Sequence, residues 1–312
     1  MRIAITGGTG FVGRHLAARL DPADTVIVSR RTGIAIDDID ALTAAFTGCD
    51  AVVHCAGINR EIGGQTFERV HVEGTRAVVE AARRAGVGRI VMLSFLRARP
   101  DCGSAYHETK WAAEELIRQS GIEHTVLKAG MIYGPGDHMV DHVTKAVRTW
   151  PVFATVGFRE RKVRPVPIED AVDVLLAALQ GRLPDSTVAV MGAEELELGE
   201  AVRRIARVAQ RRPVYIPVPV WTIRALAQLT EWTMVTPLVA KAQARMLAEG
   251  VSEAAPSTPE PPPGIRPALP FSEERIRAAL PGGRFTIDDL RPTRHARACL
   301  RRLRNGPVAV AS

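Results

Sequence analysis

The chain has 312 residues, 46% hydrophobic and 24% charged, and a formal net charge of +7, which suits one large domain with a smaller lobe. Aromatic residues make up 5% and do not interleave with the basic ones, so no stacking platform for nucleic acid is expected. Cys49, Cys55, Cys102 and Cys299 form no C-x-x-C, and no histidine stands at metal-ligand spacing, so neither a disulfide framework nor a metal site is expected.

The first predicted element is a buried strand at Ile3–Ile5, followed by Thr6-Gly-Gly-Thr-Gly10-Phe-Val-Gly13 and a helix from Arg14 to Leu20. Strand, glycine-rich turn and helix open a dinucleotide-binding βαβ unit. Gly7 permits the tight turn, Gly10 lets backbone approach a pyrophosphate, and Gly13 lets the helix lie close to the strand. The N–H groups of Phe11, Val12 and Gly13 then face the phosphates. The G-x-x-G-x-x-G spacing in TGGTGFVG resembles the extended and atypical branches of the short-chain dehydrogenase/reductase superfamily. That resemblance implies a Rossmann-like α/β fold, a doubly wound parallel sheet.

Thr25–Ser29 predicts the second strand. Arg30 and Arg31 follow where an acidic residue would accept from the ribose of NAD, so NADP(H) is the expected cofactor, with NAD(H) the other possibility. Ile34–Ile36 predicts a minimal third strand ending in Asp37-Asp38. The resemblance implies an acidic residue near the adenine there, and Asp37 is the candidate. A helix over 40–46 leads to a strand at Ala51–Cys55. Ala56 and Gly57 beyond it are small enough for the adenosine half of a cofactor to pass, and His54 reads as a core-adjacent strand residue. Glu68–Ala85 predicts one long helix closed by Gly86 and Gly88, and Arg89–Leu93 the next strand.

That strand ends at Ser94. Ser104-Ala-Tyr106-His-Glu-Thr-Lys110 then opens a helix running to about Gln119, with Ser104 as a candidate N-cap. Tyr106 and Lys110, four apart, share a helix face. A free phenol is too weakly acidic to act as a base at neutral pH, and a neighbouring ammonium lowers its pKa. The arrangement resembles the Ser-Tyr-Lys site of short-chain dehydrogenases. It implies Tyr106 as general acid/base, Lys110 as its activator and ribose anchor, and Ser94 as the donor that orients a carbonyl or alcohol substrate.

Glu123–Lys128 predicts a further strand, followed by Ile132-Tyr-Gly-Pro-Gly-Asp137. Relatives carry Arg-Pro after this strand where this chain has Lys128-Ala129. The resemblance implies backbone contact of Met131 and Ile132 with the nicotinamide. Arg164-Pro-Val-Pro-Ile-Glu-Asp170, the Met191-Gly192 turn, the Gly199–Gln210 helix and the Pro217–Trp221 helix start together resemble the group that includes the nucleotide-binding accessory subunit of respiratory complex I. Many members of that group lack the Tyr–Lys pair. Trp221, Leu226, Leu229 and Trp232 recur near helical spacing and predict a lobe core.

The expected organisation is a dinucleotide-binding core over 1–136 and a mixed α+β substrate lobe over 137–250, with 166–186 returning to the core. An extended, mobile proline-rich linker over 251–270 and a basic tail over 271–312 follow. Phe271–Leu280 predicts one short helix. Arg291–Arg304 reads as a solvated basic segment, with contact to an acidic partner or a membrane surface left open. With no leader sequence and no apolar run of spanning length, a cytoplasmic location is expected. The functional expectation is an NAD(P)-dependent oxidoreductase or epimerase-like enzyme. The rival is a non-catalytic NADP(H)-binding scaffold or redox sensor.

Overall fold

In chain order the strands are β1 (Ile3–Thr6), β2 (Thr25–Val28), β3 (Ala51–His54), β4 (Arg89–Phe95), β5 (Glu123–Ala129), β6 (Ile132–Tyr133), β7 (Val152–Val156), β8 (Lys162–Val163), β9 (Val166–Pro167), β10 (Ser186–Val190), β11 (Leu196–Glu197) and β12 (Val214–Val218). The helices are α1 (Phe11–Ala17), α2 (Ile39–Phe46), α3 (Gly74–Arg84), α4 (Ala105–Arg118), α5 (His138–Thr149), α6 (Ile168–Leu179), α7 (Leu198–Val208) and α8 (Glu273–Ala279). This computed structural model describes residues 1–156, 161–219, 221–222, 225, 228 and 249–286.

β1 and β3 are buried at every position, as strands covered on both faces must be. They are interior strands of a six-stranded sheet of order β10–β5–β4–β3–β1–β2, parallel throughout. Strand alternation divides the core in two. Ile3, Ile5, Val53, Val91 and Leu127 pack on one side with Leu16 of α1 and Val172, Leu175 and Leu179 of α6. Ala4, Val52, Ile90 and Val126 pack on the other with Leu42 and Phe46 of α2, Val78 of α3 and Ile117 of α4. The strand order reverses between β1 and β3, so the crevice at their carboxyl ends is the switch point where such sheets take ligands.

Several expectations change. Ile34–Ile36 forms no strand. Gly33 turns with φ +85°, Ile34 N–H bonds back to the Ser29 carbonyl, and Asp38 caps α2 through Ala41 N–H, leaving too few residues for a ladder. Ile34 and Ile36 instead pack against the α2–α3 side of the core. The helix expected over Glu68–Ala85 is interrupted: Glu68–Glu73 winds as a π-helical turn before α3 begins.

The proline-rich stretch is not a free linker. Pro259 accepts from Ala189 N–H of β10 at 2.7 Å, and Glu260 pairs with Arg164 at 2.9 Å. The Asp170 carboxylate accepts from Ala268 and Leu269 N–H at 3.0 and 2.9 Å. The motif Arg164–Asp170 thus anchors this segment to the sheet. It delivers Phe271 and Ile276 of α8 to a lobe core with Tyr133, Val140 and Ile205, where the Phe271 ring meets Tyr133 edge-on at 4.8 Å. Trp221 is exposed and is no part of that core; Leu226, Leu229, Trp232 and the segment Arg291–Arg304 lie outside the described residues.

Candidate functional site

The turn after β1 is held by backbone contact. Gly7 has φ +67°, and a Cβ there would lie 2.8 Å from the Ala56 nitrogen and Cα, in the loop after β3. A Cβ on Gly13 would overlap the Gly7 carbonyl oxygen and stand 2.7 Å from Gly8 Cα. Gly10 N–H bonds to the Gly7 carbonyl at 2.8 Å, and Gly10 caps α1 without a side chain. No side chain therefore answers the first N–H groups of α1, at Phe11, Val12 and Gly13. This cradle, which any Cβ would fill, fits the pyrophosphate of a dinucleotide. Arg14 Nη2 and His15 Nε2 donate to the Pro135 carbonyl at 2.6 and 3.0 Å, which joins α1 to the Gly134–Asp137 loop.

Two buried histidines stitch the crevice floor. Thr75 donates its hydroxyl proton to the His71 carbonyl, so His54 Nε2 donates to Thr75 Oγ1 at 3.0 Å. His54 Nδ1 then accepts from Thr6 Oγ1 at 2.7 Å. Thr109 donates to the Ala105 carbonyl, so His71 Nδ1 donates to Thr109 Oγ1 at 3.0 Å, and its Nε2 accepts from Ile58 N–H at 3.2 Å. Burial is the main cause that holds both rings neutral, lowering His54 to about 3 and His71 to about 2, and the Lys110 charge adds to it. His54 is the strand residue expected. His71, which ties the Ala56–Ile58 loop to α4, escaped sequence reasoning; its position in a π-helical turn carries no sequence signature.

Arg30 and Arg31 form a short helical turn after β2, capped by Ser29. Both are exposed, and neither meets a carboxylate among the described residues. Asp37 is engaged by Arg69, whose Nε and Nη2 both donate to its Oδ2 at 2.7 Å. Met131 and Ile132 follow β5. The Met131 carbonyl accepts from Val166 N–H at 2.8 Å, and Ile132 packs on the core beside α6.

Tyr106 and Lys110 share one face of α4, and both are nearly enclosed, at 7% and 8% exposure. The phenol ring stands edge-on to Phe67 and His71 and tilted against Phe95, with centroids 5.4 to 5.7 Å away. Burial raises its pKa, and the expected lowering by the Lys110 ammonium does not prevail. Lys110 Nζ lies beneath Gly57, 3.1 Å from where a Cβ would stand, and donates to the Leu93 carbonyl at 3.4 Å. Burial lowers it to about 8, opposed by the Glu114 carboxylate.

Ser94 does not join this pair. It remains within β4 and donates to Glu114 Oε1 at 2.5 Å, inside a buried ionic cluster where Glu114 also meets Arg118 at 2.7 Å and Lys128 at 3.5 Å. Lys128 donates to the Ala98 carbonyl at 2.7 Å beneath the Trp111 ring. Glu114 lies one helical turn beyond Lys110, so the same helix that carries the candidate pair withdraws the serine. Ser104 does not cap α4 with its hydroxyl, which bonds to His107 Nδ1 at 2.7 Å; Glu108 reaches back instead to Cys102 and Gly103 N–H.

Comparison with known proteins gives the family. The profile of the NAD dependent epimerase/dehydratase family matches residues 3–190, from β1 to β10. The chain belongs to that family. It is 31% identical over 191 residues to a ceramide reductase of Caulobacter vibrioides, covering 56% of this chain and 60% of that protein. It is 22% identical over 197 residues to the mitochondrial NADH dehydrogenase [ubiquinone] 1 alpha subcomplex subunit 9 of Dictyostelium discoideum, covering 56% and 54%. The matched stretch thus spans little more than half of these relatives. Among solved structures, MoeE5 in complex with UDP-glucose and NAD superposes with a TM-score of 0.66 at 19% identity, over 89% of this chain and 97% of that one, a likeness of fold. Among the described residues no helix is long and apolar enough to cross a membrane, and no group of side chains could hold a metal ion.

Proposed function

We propose that this member of the family is an NADP-preferring reductase of a carbonyl substrate, with Tyr106 as its proton donor. The observation that carries the reading is the Tyr106–Lys110 pair, one turn apart on α4, with the ammonium against Gly57 in the loop that abuts the glycine cradle. The cradle of Gly7, Gly10 and Gly13 would hold the pyrophosphate, Ala56 and Gly57 would let the adenosine half pass, and Lys110 would take the ribose hydroxyls. Arg30 and Arg31 would receive a 2′-phosphate. When bound, the reduced nicotinamide supplies a hydride to the carbonyl carbon. Tyr106 supplies the proton to the carbonyl oxygen, and the product is an alcohol.

One observation favours reduction over oxidation: a relative 31% identical over 191 residues is named a ceramide reductase. One observation favours the rival, a non-catalytic NADP(H)-binding scaffold: Ser94 is committed to Glu114, so no carbonyl donor stands there. A single experiment separates them. NADPH and NADH are titrated by fluorescence, and their oxidation is then followed across a panel of ketones, long-chain ones included. Turnover should fall about a hundredfold or more in Tyr106→Phe while NADPH affinity is kept. Tight cofactor binding with no Tyr106-dependent turnover on any ketone establishes the scaffold.

A further inference from the structure

The ribbon formed by β7 and β12 presents an apolar face with nothing over it among the described residues. The strands run parallel, with Val214 opposite Val152 and Ile216 opposite Ala154. Phe153 turns inward onto Val147 of α5 and onto Ala206 and Ala209 at the end of α7. Alternation therefore turns Val152, Ala154, Val214 and Ile216 outward. All four are exposed, Val214 at 62% and Ile216 at 46%. Trp150 stands just before one strand, and Trp221, 70% exposed, lies just beyond the other. Isolated exposed apolar residues are ordinary, but a sheet face made of nothing else marks an interaction surface.

Its chemistry narrows the occupant. Arg211 and Arg212 lie just before β12, separated from it by Pro213; both are exposed, and neither meets a carboxylate among the described residues. A protein partner is usually met with about one hydrogen bond per 100–200 Å² of interface, and the four outward side chains of this face offer no polar atom. Small aliphatic side chains, an indole at the border and a cationic rim are the composition that enters the headgroup region of an anionic bilayer. We propose that the outward face of this ribbon docks on an anionic lipid surface. Val214, Ile216 and Trp221 enter the headgroup–acyl boundary, and Arg211 and Arg212 meet lipid phosphates.

The test is flotation of the full chain with vesicles of phosphatidylcholine alone and of phosphatidylcholine with phosphatidylglycerol, without cofactor, so that its outcome is separate from that of the proposed reaction. Binding is expected to the phosphatidylglycerol vesicles and to weaken as salt is raised. The pair Arg211→Glu and Arg212→Glu should lower the partition coefficient about tenfold or more. The pair Ile216→Ser and Trp221→Ala should lower it by a similar factor. All four positions are exposed, so both variants should fold. Absence of binding to the anionic vesicles overturns the proposal, as does binding that survives either variant, which would place it elsewhere in the chain. A second copy covering this face would appear as a dimer that ignores vesicles, and overturns it too.

Discussion

The glycine turn at Gly7–Gly13 and the helical turn at Tyr106–Lys110 meet across Ala56 and Gly57, and they are built in opposite ways. In the first, backbone lies on backbone. Gly7 rests on Ala56, Gly13 on Gly7, and the available donors are main-chain N–H groups. In the second, side chains are enclosed with less than full satisfaction. A phenol sits among rings, and an ammonium under Gly57 has one long bond to a carbonyl. The cradle is thus stable because nothing is added to it. The pair is costly because charge has been taken out of water, and that cost is what a bound ligand could relieve.

Substitution should therefore act with opposite sign on the two. The largest effect is expected at Gly13. A single methyl there overlaps the Gly7 carbonyl oxygen, and no flexible side chain stands in the way to yield. Gly13→Ala should destabilise by about 3 kcal/mol or more and abolish dinucleotide binding, read by urea unfolding and fluorescence titration. Unchanged stability would mean that α1 can slide and that the cradle is not set by sterics.

Lys110→Met should instead raise stability. Burial lowers this lysine from 10.5 to about 8, so keeping it charged at pH 7 costs the fold on the order of 3 kcal/mol. The sign follows from the depressed value: the group's contribution is most favourable above pH 10.5 and is lost as pH falls through about 8. The wild type should gain stability between those limits and the variant should not. Cofactor affinity should fall in the variant at every pH. A variant less stable at pH 7 would show that the ammonium is fully satisfied in the fold.

The histidines beneath the crevice give the next effect. His54 is held neutral at about 3, against 6.5 unperturbed. An unfolded chain takes up a proton below pH 6.5 that the folded chain refuses, so this stability is present above 6.5 and lost as pH falls toward 3. Between pH 6.5 and 5 the loss should be on the order of 2 kcal/mol for each such ring. His54→Asn, which does not titrate, should flatten the urea-midpoint profile over that interval relative to wild type. An equal slope in both would place the acid sensitivity elsewhere.

These differences also explain what could be read from the sequence. The parallel sheet was readable because each strand is a short apolar run, and the cradle because steric demands at Gly7 and Gly13 leave only glycine. Ile34–Ile36 has the composition of a strand, but Gly33 and the Asp38 cap leave it no length to pair. Tyr106 and Lys110 were readable as neighbours from helical spacing alone. The fate of Ser94 was not, since it depends on Glu114 one turn further along α4. The proline-rich composition of 256–270 suggested freedom, yet Asp170 and Arg164, about a hundred residues earlier, hold that stretch to the sheet. The errors at Ser94 and in the proline-rich stretch are distant polar contacts overriding a local pattern, whereas the one at Ile34–Ile36 is a local turn and cap.

The smallest effect is expected where neither backbone crowding nor burial operates. Arg30 and Arg31 stand in solvent, so replacing both with alanine should leave stability within about 0.5 kcal/mol. If they receive a 2′-phosphate, the loss falls on one ligand alone. NADPH affinity should drop about tenfold while NADH affinity holds, and the NADPH preference should shrink in the wild type as salt is raised, because exposed charges are screened. An affinity ratio that ignores both the double substitution and salt would remove these arginines from the site. Selectivity would then rest with the groups around Asp37, whose carboxylate Arg69 already engages.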